Sequence, residues 1–354
     1  MIMKEVFAVR FKSARLRSGL SLQSLAEKLG SKLSRQALHK YEKGDVLPNS
    51  EMLTLLSNVL NVRPDYFFSD LKVEIGSVEY RKMANLPARE EQKVIEQTRE
   101  YLSRYLELEE IVGMENDFAN PLGDMAAVSS FGQANAAADL LREKWNLGAD
   151  PLYNVSQLLE DKHIKVVEID ADVVFDGMQT WANGKIPVLA INKNIIGKPD
   201  RIRFTLLHEL AHLLLNFESL EEKQKEKLCH QFAGAMLLPK RTLIEKIGKR
   251  RNRLSLIELG NIKKQFGISI QAIIVRSSEC GIISENYARQ FLQQIKDEGW
   301  RSTEPIAYEG IEQSERFDQL IFRALAEEQI SFSKAAALKN MKLAEFKSFA
   351  TFKE

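Results

Sequence analysis

Apolar residues along this chain recur mostly at spacings of three and four, the period of a helix buried on one face, and alternate at spacing two over one short interval. The helical register opens the chain. Residues 7–19 (FAVRFKSARLRSG) form a block that stops at Gly19. Ser21 caps LQSLAEKLG, which stops at Gly30, and Ser34 caps RQALHKYEKG, which stops at Gly44. After Pro48, SEMLTLLSNVLNV predicts another helix, and RPDYFF closes the unit. A serine before an apolar-periodic run and a glycine after it mark a start and a stop.

A longer helix is expected from about Pro87 to Val112. Val94, Thr98, Tyr101, Tyr105, Leu108 and Val112 repeat there at spacings of three and four, a heptad seam of nearly three repeats. Such a seam suits a short coiled coil or dimer contact, or a helix packed on its own domain. GMENDFANPLGDM (113–125) is turn-rich and reads as a linker. From about 126 the pattern is mixed. Two helices, QANAAADLLREKWNL and NVSQLLEDK, precede a strand, IKVVEID. FDGMQTWANGKIPVLAIN predicts a hairpin with an Asn-Gly turn at 183–184 and a second strand at 186–191. Two further helices follow, RIRFTLLHELAHLLLN and KEKLCHQFAGAMLL, the second ending at Pro239. The tail is helical, with a turn region at 299–305.

These elements predict a mainly α fold with a small β-sheet, of the α+β class. The expected organisation is a helix-turn-helix bundle over 1–70, a helical linker with a possible dimer seam over 71–125, a mixed domain over 126–290 and a helical C-terminal region over 291–354.

Composition adds exclusions. The 354 residues suffice for two or three domains, and 44% hydrophobic with 28% charged residues is an ordinary globular balance. Fifty basic against 49 acidic residues give no global nucleic-acid signature, so any DNA binding must be local. Two cysteines, Cys229 and Cys280, form no disulfide framework and suit a reducing cytoplasm. The N-terminal MIMKEVFAVRFK has no signal-peptide core, and no apolar run reaches the about 18 residues of a membrane span. A cytoplasmic protein with no membrane partner is therefore expected.

The local charge lies at the start. Residues 1–70 hold 11 Lys/Arg against 7 Asp/Glu, an excess of +4 in an otherwise neutral chain. Leu25, Ala26, Leu29, Leu38 and Tyr41 have the spacing to pack two short helices at a steep angle. That leaves the outer face of the second helix free, with Arg35, Gln36, His39 and Lys40 on it. Arg and Gln can read guanine and adenine edges in the major groove, so double-stranded operator DNA is the expected partner of these four residues. The stretch from RLRSGLSLQSLAEKLG through SRQALHKYEKGDVLPNSEMLTLLSNVLNV resembles the Xre family of phage-repressor-type DNA-binding domains. The resemblance implies a structural ion pair between Arg15 and Glu42. It also implies a phosphate-clamping glutamine where this chain has Leu22.

The second chemical signal is His208-Glu209-Leu210-Ala211-His212, an HExxH pentad in an apolar helix. With five histidines in 354 residues, chance placement of this pentad is far below one per chain. Residues at i and i+4 share a helix face, so His208 and His212 can aim both rings at one ion. Glu209 projects beside them and can take a proton from a water activated there. A third ligand is required. Leu215 and Glu218 occupy the positions where HExxHxxGxxH needs Gly and His, so that arrangement is excluded. Spacing leaves Glu218, Glu221, Glu222 and Glu226 open, with His230 as a nitrogen alternative.

RFTLLHELAHLLLN followed by EKLCHQFAGAMLLP resembles the ImmA/IrrE family of zincin-like metallopeptidases, over about residues 130–290 with a weaker match in the GW…EP tail. Aligning Phe232-Ala233 with the family's Phe-Ala implies His208, His212 and Glu226 as ligands of Zn²⁺, with Mn²⁺ a second fit, and Glu209 as general acid/base. Cys229 then takes the family's small position and His230 its usual Asn.

Together these readings predict a homodimeric DNA-binding regulator with a zinc-dependent endopeptidase domain. Its substrate would be a protein or peptide: a repressor, a toxin-like partner or the chain itself. The response under control would be a stress, mobile-element or toxin-antitoxin type. The alternative is a repressor or antitoxin-like regulator whose peptidase fold serves as a sensor with little proteolysis. Two smaller expectations complete the reading. The basic run KIGKRRNRLS (246–255) is expected to be a solvated loop, or else to hold a nucleic acid or an acidic substrate segment. VLAIN is an edge strand able to pair with an extended peptide.

Overall fold

The computed structural model describes residues 3–30, 32–69, 73–76, 86–115, 117–195, 197–218 and 220–351. It begins with α1 (Met3–Arg17), α2 (Leu22–Lys28), α3 (Arg35–Lys43) and α4 (Ser50–Leu60), followed by a 3-10 turn at Pro64–Phe68. The capping serines act as expected. Ser21 Oγ accepts from Ser24 N, Ser34 Oγ accepts from Ala37 N, and Gly44 leaves α3 in the left-handed region at φ 72°. Leu25, Ala26, Leu29, Leu38 and Tyr41 join Phe7, Phe11, Leu56 and Phe67 in one core. The unit is thus closed by its first and last elements as well as by the α2–α3 pair.

The middle of the chain contains α5 (Ala88–Ile111), α6 (Phe131–Lys144), α7 (Val155–Asp161), β1 (Lys165–Ile169), β2 (Gly177–Ala182) and β3 (Ile186–Asn192). It continues with α8 (Pro199–Leu214), α9 (Glu222–Leu237), α10 (Lys240–Ile247), α11 (Leu256–Phe266), α12 (Ile270–Glu279) and α13 (Glu285–Asp297). The sheet order is β1-β3-β2, with β1 parallel and β2 antiparallel to β3. The expected hairpin is present. Asn183 and Gly184 both have positive φ, 51° and 70°, which gives the turn the hand that matches strand twist.

The sheet position of VLAIN corrects the edge-strand expectation. β3 is the central strand and is buried at every residue. Leu189 and Ile191 join the core beneath α8, while Val188 and Ala190 join the core beneath α5. A strand covered on both faces reads as a continuous apolar run, and its backbone groups are already committed to two neighbours.

α5 packs within its own chain, the second of the two roles open to its seam. Val94 and Leu102 pack on the outer face of the sheet, against Val167, Met178 and Val188. Tyr105, Leu108 and Val112 pack instead on the C-terminal helices α14 (Arg316–Ala326), α15 (Phe332–Leu338) and α16 (Leu343–Thr351), against Phe317, Ile321 and Phe346. The heptad positions are therefore consumed inside the chain. A third side of α5 receives α1 through charge: Glu100 lies 3.3 Å from Arg10 and 3.8 Å from Arg17, and Ser13 donates to Glu96. Leu86 also joins the core on the outer sheet face, and Gly76 N donates to Trp181 O in β2. Within the expected 71–125 linker, residues 71–72, 77–85 and 116 lie outside the described residues.

Residues 299–315 form a strap between α13 and α14 that runs back over α8 and α12. Lys263 Nζ in α11 is 2.7 Å from both Asp200 at the start of α8 and Glu304 in the strap, while Glu304 also accepts from Ile270 N and Gln271 N. Among the described residues, no helix is long and apolar enough to cross a membrane.

Candidate metal centre and nucleic-acid interface

α8 starts at Pro199, whose missing N–H costs nothing at a first helical position, with Asp200 favourably placed in the first turn. Its apolar residues Ile202, Leu206, Leu207, Leu210 and Leu214 lie in the main core, which fixes the rotation of the helix. His208 and Glu209 are then held nearly buried on the side that meets the cleft. α9 packs against both α8 and α6, and Ala233, Ala235 and the alanines 134, 137 and 138 of α6 all lie in the main core. This packing brings the first turns of α9 to the pentad.

Glu226 lies on those turns. One carboxylate oxygen is 3.2 Å from His208 Nε2 and the other is 3.1 Å from His212 Nε2. The acid that the resemblance implied is thus the one that meets both pentad histidines. His208, Glu226 and His230 also present ligand atoms that lie within 4.8 Å of one another. Two or three imidazoles with one carboxylate form a donor set suited to a borderline divalent ion such as Zn²⁺. The residues present fit a metal.

Glu209 lines the same cleft, which has a volume of about 1080 Å³ and is bounded by β2, α8, α9, α12 and the strap. Gly177 in β2 sets the distance between sheet and helix at this point. A Cβ there would lie 2.9 Å from Thr205 Cγ2, 3.0 Å from Ala190 O and 3.5 Å from Glu209 Cγ. Only glycine lets β2 come this close to α8.

Other supports were not singled out from the sequence. Arg203, in α8, has no exposed surface and sits 3.3 Å from Glu312 of the strap; it also donates to Tyr308 Oη and Leu152 O. Glu312 in turn accepts from Val155 N at the start of α7. Burial pushes the Glu312 carboxyl up to about 7, against the opposing pull of Arg203 and the Val155 and Ser156 amides. The strap's GW…EP residues gave a faint signal, but nothing in spacing marks Arg203 as their partner. Cys229 is fully buried in the main core. The basic run is partly tied down, with Arg251 donating to Glu258.

In the N-terminal unit, Arg35, Gln36, His39 and Lys40 are all exposed, whereas Leu38 and Tyr41 on the opposite side of α3 are buried. Arg15 Nε and Glu42 Oε1 are 2.6 Å apart, and Arg15 also donates to Leu20 O. Leu22 is half-buried at the start of α2 and packs on the N-terminal core.

Two family models match parts of the chain. Residues 11–67 match the helix-turn-helix family, and residues 159–278 match the IrrE N-terminal-like domain. The chain therefore joins a helix-turn-helix domain of the DNA-binding regulator class to an IrrE-like domain of a peptidase family. Over 61 residues it is 41% identical to YonR, an SPbeta prophage-derived uncharacterized helix-turn-helix-type transcriptional regulator of Bacillus subtilis. The aligned stretch covers 17% of this chain and 55% of that protein. No solved structure matches the chain.

Proposed function

We propose that the protein is a DNA-binding transcriptional regulator that carries a Zn²⁺-dependent endopeptidase centre in the same chain. The observation that supports it best is the placement of Glu226 against both His208 and His212, beside Glu209 in an open cleft. His208, His212 and Glu226 would hold the ion, with Mn²⁺ a second fit to the same donors. When bound, the ion supplies Lewis acidity toward water and the scissile carbonyl. Glu209 takes the proton of the attacking water and returns it to the leaving amide nitrogen as the C–N bond breaks. The cleft is large enough for a peptide segment, and a repressor, a toxin-like partner or the chain's own N-terminal unit is the class of substrate.

Arg35, Gln36, His39 and Lys40 would face the major groove of an operator. Two copies would occupy paired half-sites, through a contact other than the α5 seam. The regulated response is of the mobile-element, stress or toxin-antitoxin type. The test incubates wild type and Glu209→Gln with Zn²⁺ and the products of neighbouring genes, read by intact mass. Cleavage should occur with wild type and fall at least about 100-fold with Glu209→Gln, while metal and operator binding persist. Normal regulation by Glu209→Gln in cells would reject proteolysis as the working step and leave the peptidase fold as a sensor.

A further inference from the structure

His230 lies four residues after Glu226 on α9 and so shares its face. Its Nδ1 is 2.6 Å from the Glu226 backbone carbonyl oxygen. An oxygen lone pair cannot face a nitrogen lone pair at that distance, so Nδ1 carries the hydrogen and donates it. The lone pair is then on Nε2. A histidine held by an N–H to carbonyl bond on one nitrogen, with the other nitrogen bare, has the arrangement of a metal ligand and its outer partner. The ring centroid of His230 is 4.3 Å from that of His208, and its ligand atom belongs to the same group as those of His208 and Glu226, all within 4.8 Å.

We infer that His230 is a further metal ligand of this centre, joining His208, His212 and Glu226 through Nε2. This rests on the metal-binding part of the function proposed above. His208, His212, Glu226 and His230 would together offer three imidazoles and one carboxylate, the composition of a closed site rather than one with a position open to water. Of the four side chains His230 is the exposed one, at the edge of the cleft, whereas His208 is buried and His212 and Glu226 are half-buried. It is therefore the donor that an entering peptide can displace. With His230 bound the centre would be closed, and the position His230 holds would be the one a substrate has to take.

The experiment uses the full chain as wild type, His230→Asn and His230→Gln. Zn²⁺ affinity is measured by competition with a chromophoric chelator. The Co²⁺-loaded forms are examined by proton NMR, in which each coordinated imidazole with a ring N–H gives one strongly shifted exchangeable resonance. Wild type should show three such resonances and each variant two. Zn²⁺ affinity should fall at least about tenfold, since loss of even an outer partner of a ligand costs that much. Melting of the metal-free forms should be unchanged. Equal affinity and equal resonance counts in all three proteins overturn the assignment. Weaker binding with an unchanged count makes His230 an outer partner and overturns it too. A wild type that takes up no metal removes this proposal together with the metal reading of the cleft, and the chelator competition alone distinguishes that case.

Discussion

Arg203 Nε and the Glu312 carboxylate lie 3.3 Å apart, with no exposed side-chain surface on either. The helix that carries the pentad is thereby tied to a strap from the far end of the chain, and through Glu312 to the first amides of α7. A charge buried this deeply depends on its partner. Above pH 7, where Glu312 is ionised, Glu312→Ala leaves the Arg203 guanidinium without its counter-charge, and unfolding by urea should show a loss of about 3–5 kcal/mol. A loss below that expected for a surface pair would show that the strap is not integral to the domain.

The same carboxyl gives a pH dependence with a definite sign. Burial raises Glu312 from 4.5 to about 7, so between these values the folded chain binds more protons there than the unfolded chain. Its contribution to stability is therefore present at low pH and lost as pH rises through about 7. Glu312→Gln should flatten that part of the stability profile, measured by thermal melts across pH 4–8. A profile identical to wild type would contradict the shift.

Gly177 separates β2 from α8 at Glu209. In Gly177→Ala the new methyl meets Thr205 Cγ2 and the Ala190 carbonyl at 2.9 and 3.0 Å, and backbone oxygen cannot move aside cheaply. Destabilisation of about 1–3 kcal/mol is expected, with a shift of the pentad helix that weakens Zn²⁺ uptake. Chemical denaturation and chelator competition measure the two effects.

Leu108 tests whether the α5 seam is spent within one chain. It is fully buried among α5 and the C-terminal helices. Leu108→Ala should cost about 2–5 kcal/mol, independent of protein concentration. A cost that grows on dilution would instead place the residue between two chains.

For the DNA-binding face, Arg35→Ala and Gln36→Ala should each lose about 1–3 kcal/mol of operator discrimination, seen as lost footprints. Lys40→Ala should weaken binding to all sequences alike and lower the salt slope by about one. Unaltered footprints in the first pair would remove both residues from the readout.

Much of the fold was legible in the chain. Serines 21 and 34 cap where hydroxyls were expected to cap, and the Asn-Gly turn folds the hairpin, because these signals are local hydrogen bonds and φ preferences carried by a few adjacent residues. The α5 seam was legible as a seam but not by its partner. A row of apolar side chains reports that something covers it, and both a second helix and a sheet satisfy that demand. VLAIN misled for a related reason: continuous apolar character signals burial, while strand order depends on a pairing between β1 and β3 that no spacing encodes.

What the sequence determined by itself was the chemistry available. It supplied two imidazoles one helical turn apart with a carboxylate beside them, and a basic helix face with Arg35 and Gln36 on it. Tertiary structure decided that Glu226, among the acids that spacing left open, meets those imidazoles, that His230 comes within reach of the same site, and that Arg203, Gly177 and the strap hold the helix that bears them. A helix specifies its own faces through backbone geometry. Which distant residues arrive at a face is fixed only when the whole core packs, because those contacts depend on volumes and burial shared across the chain.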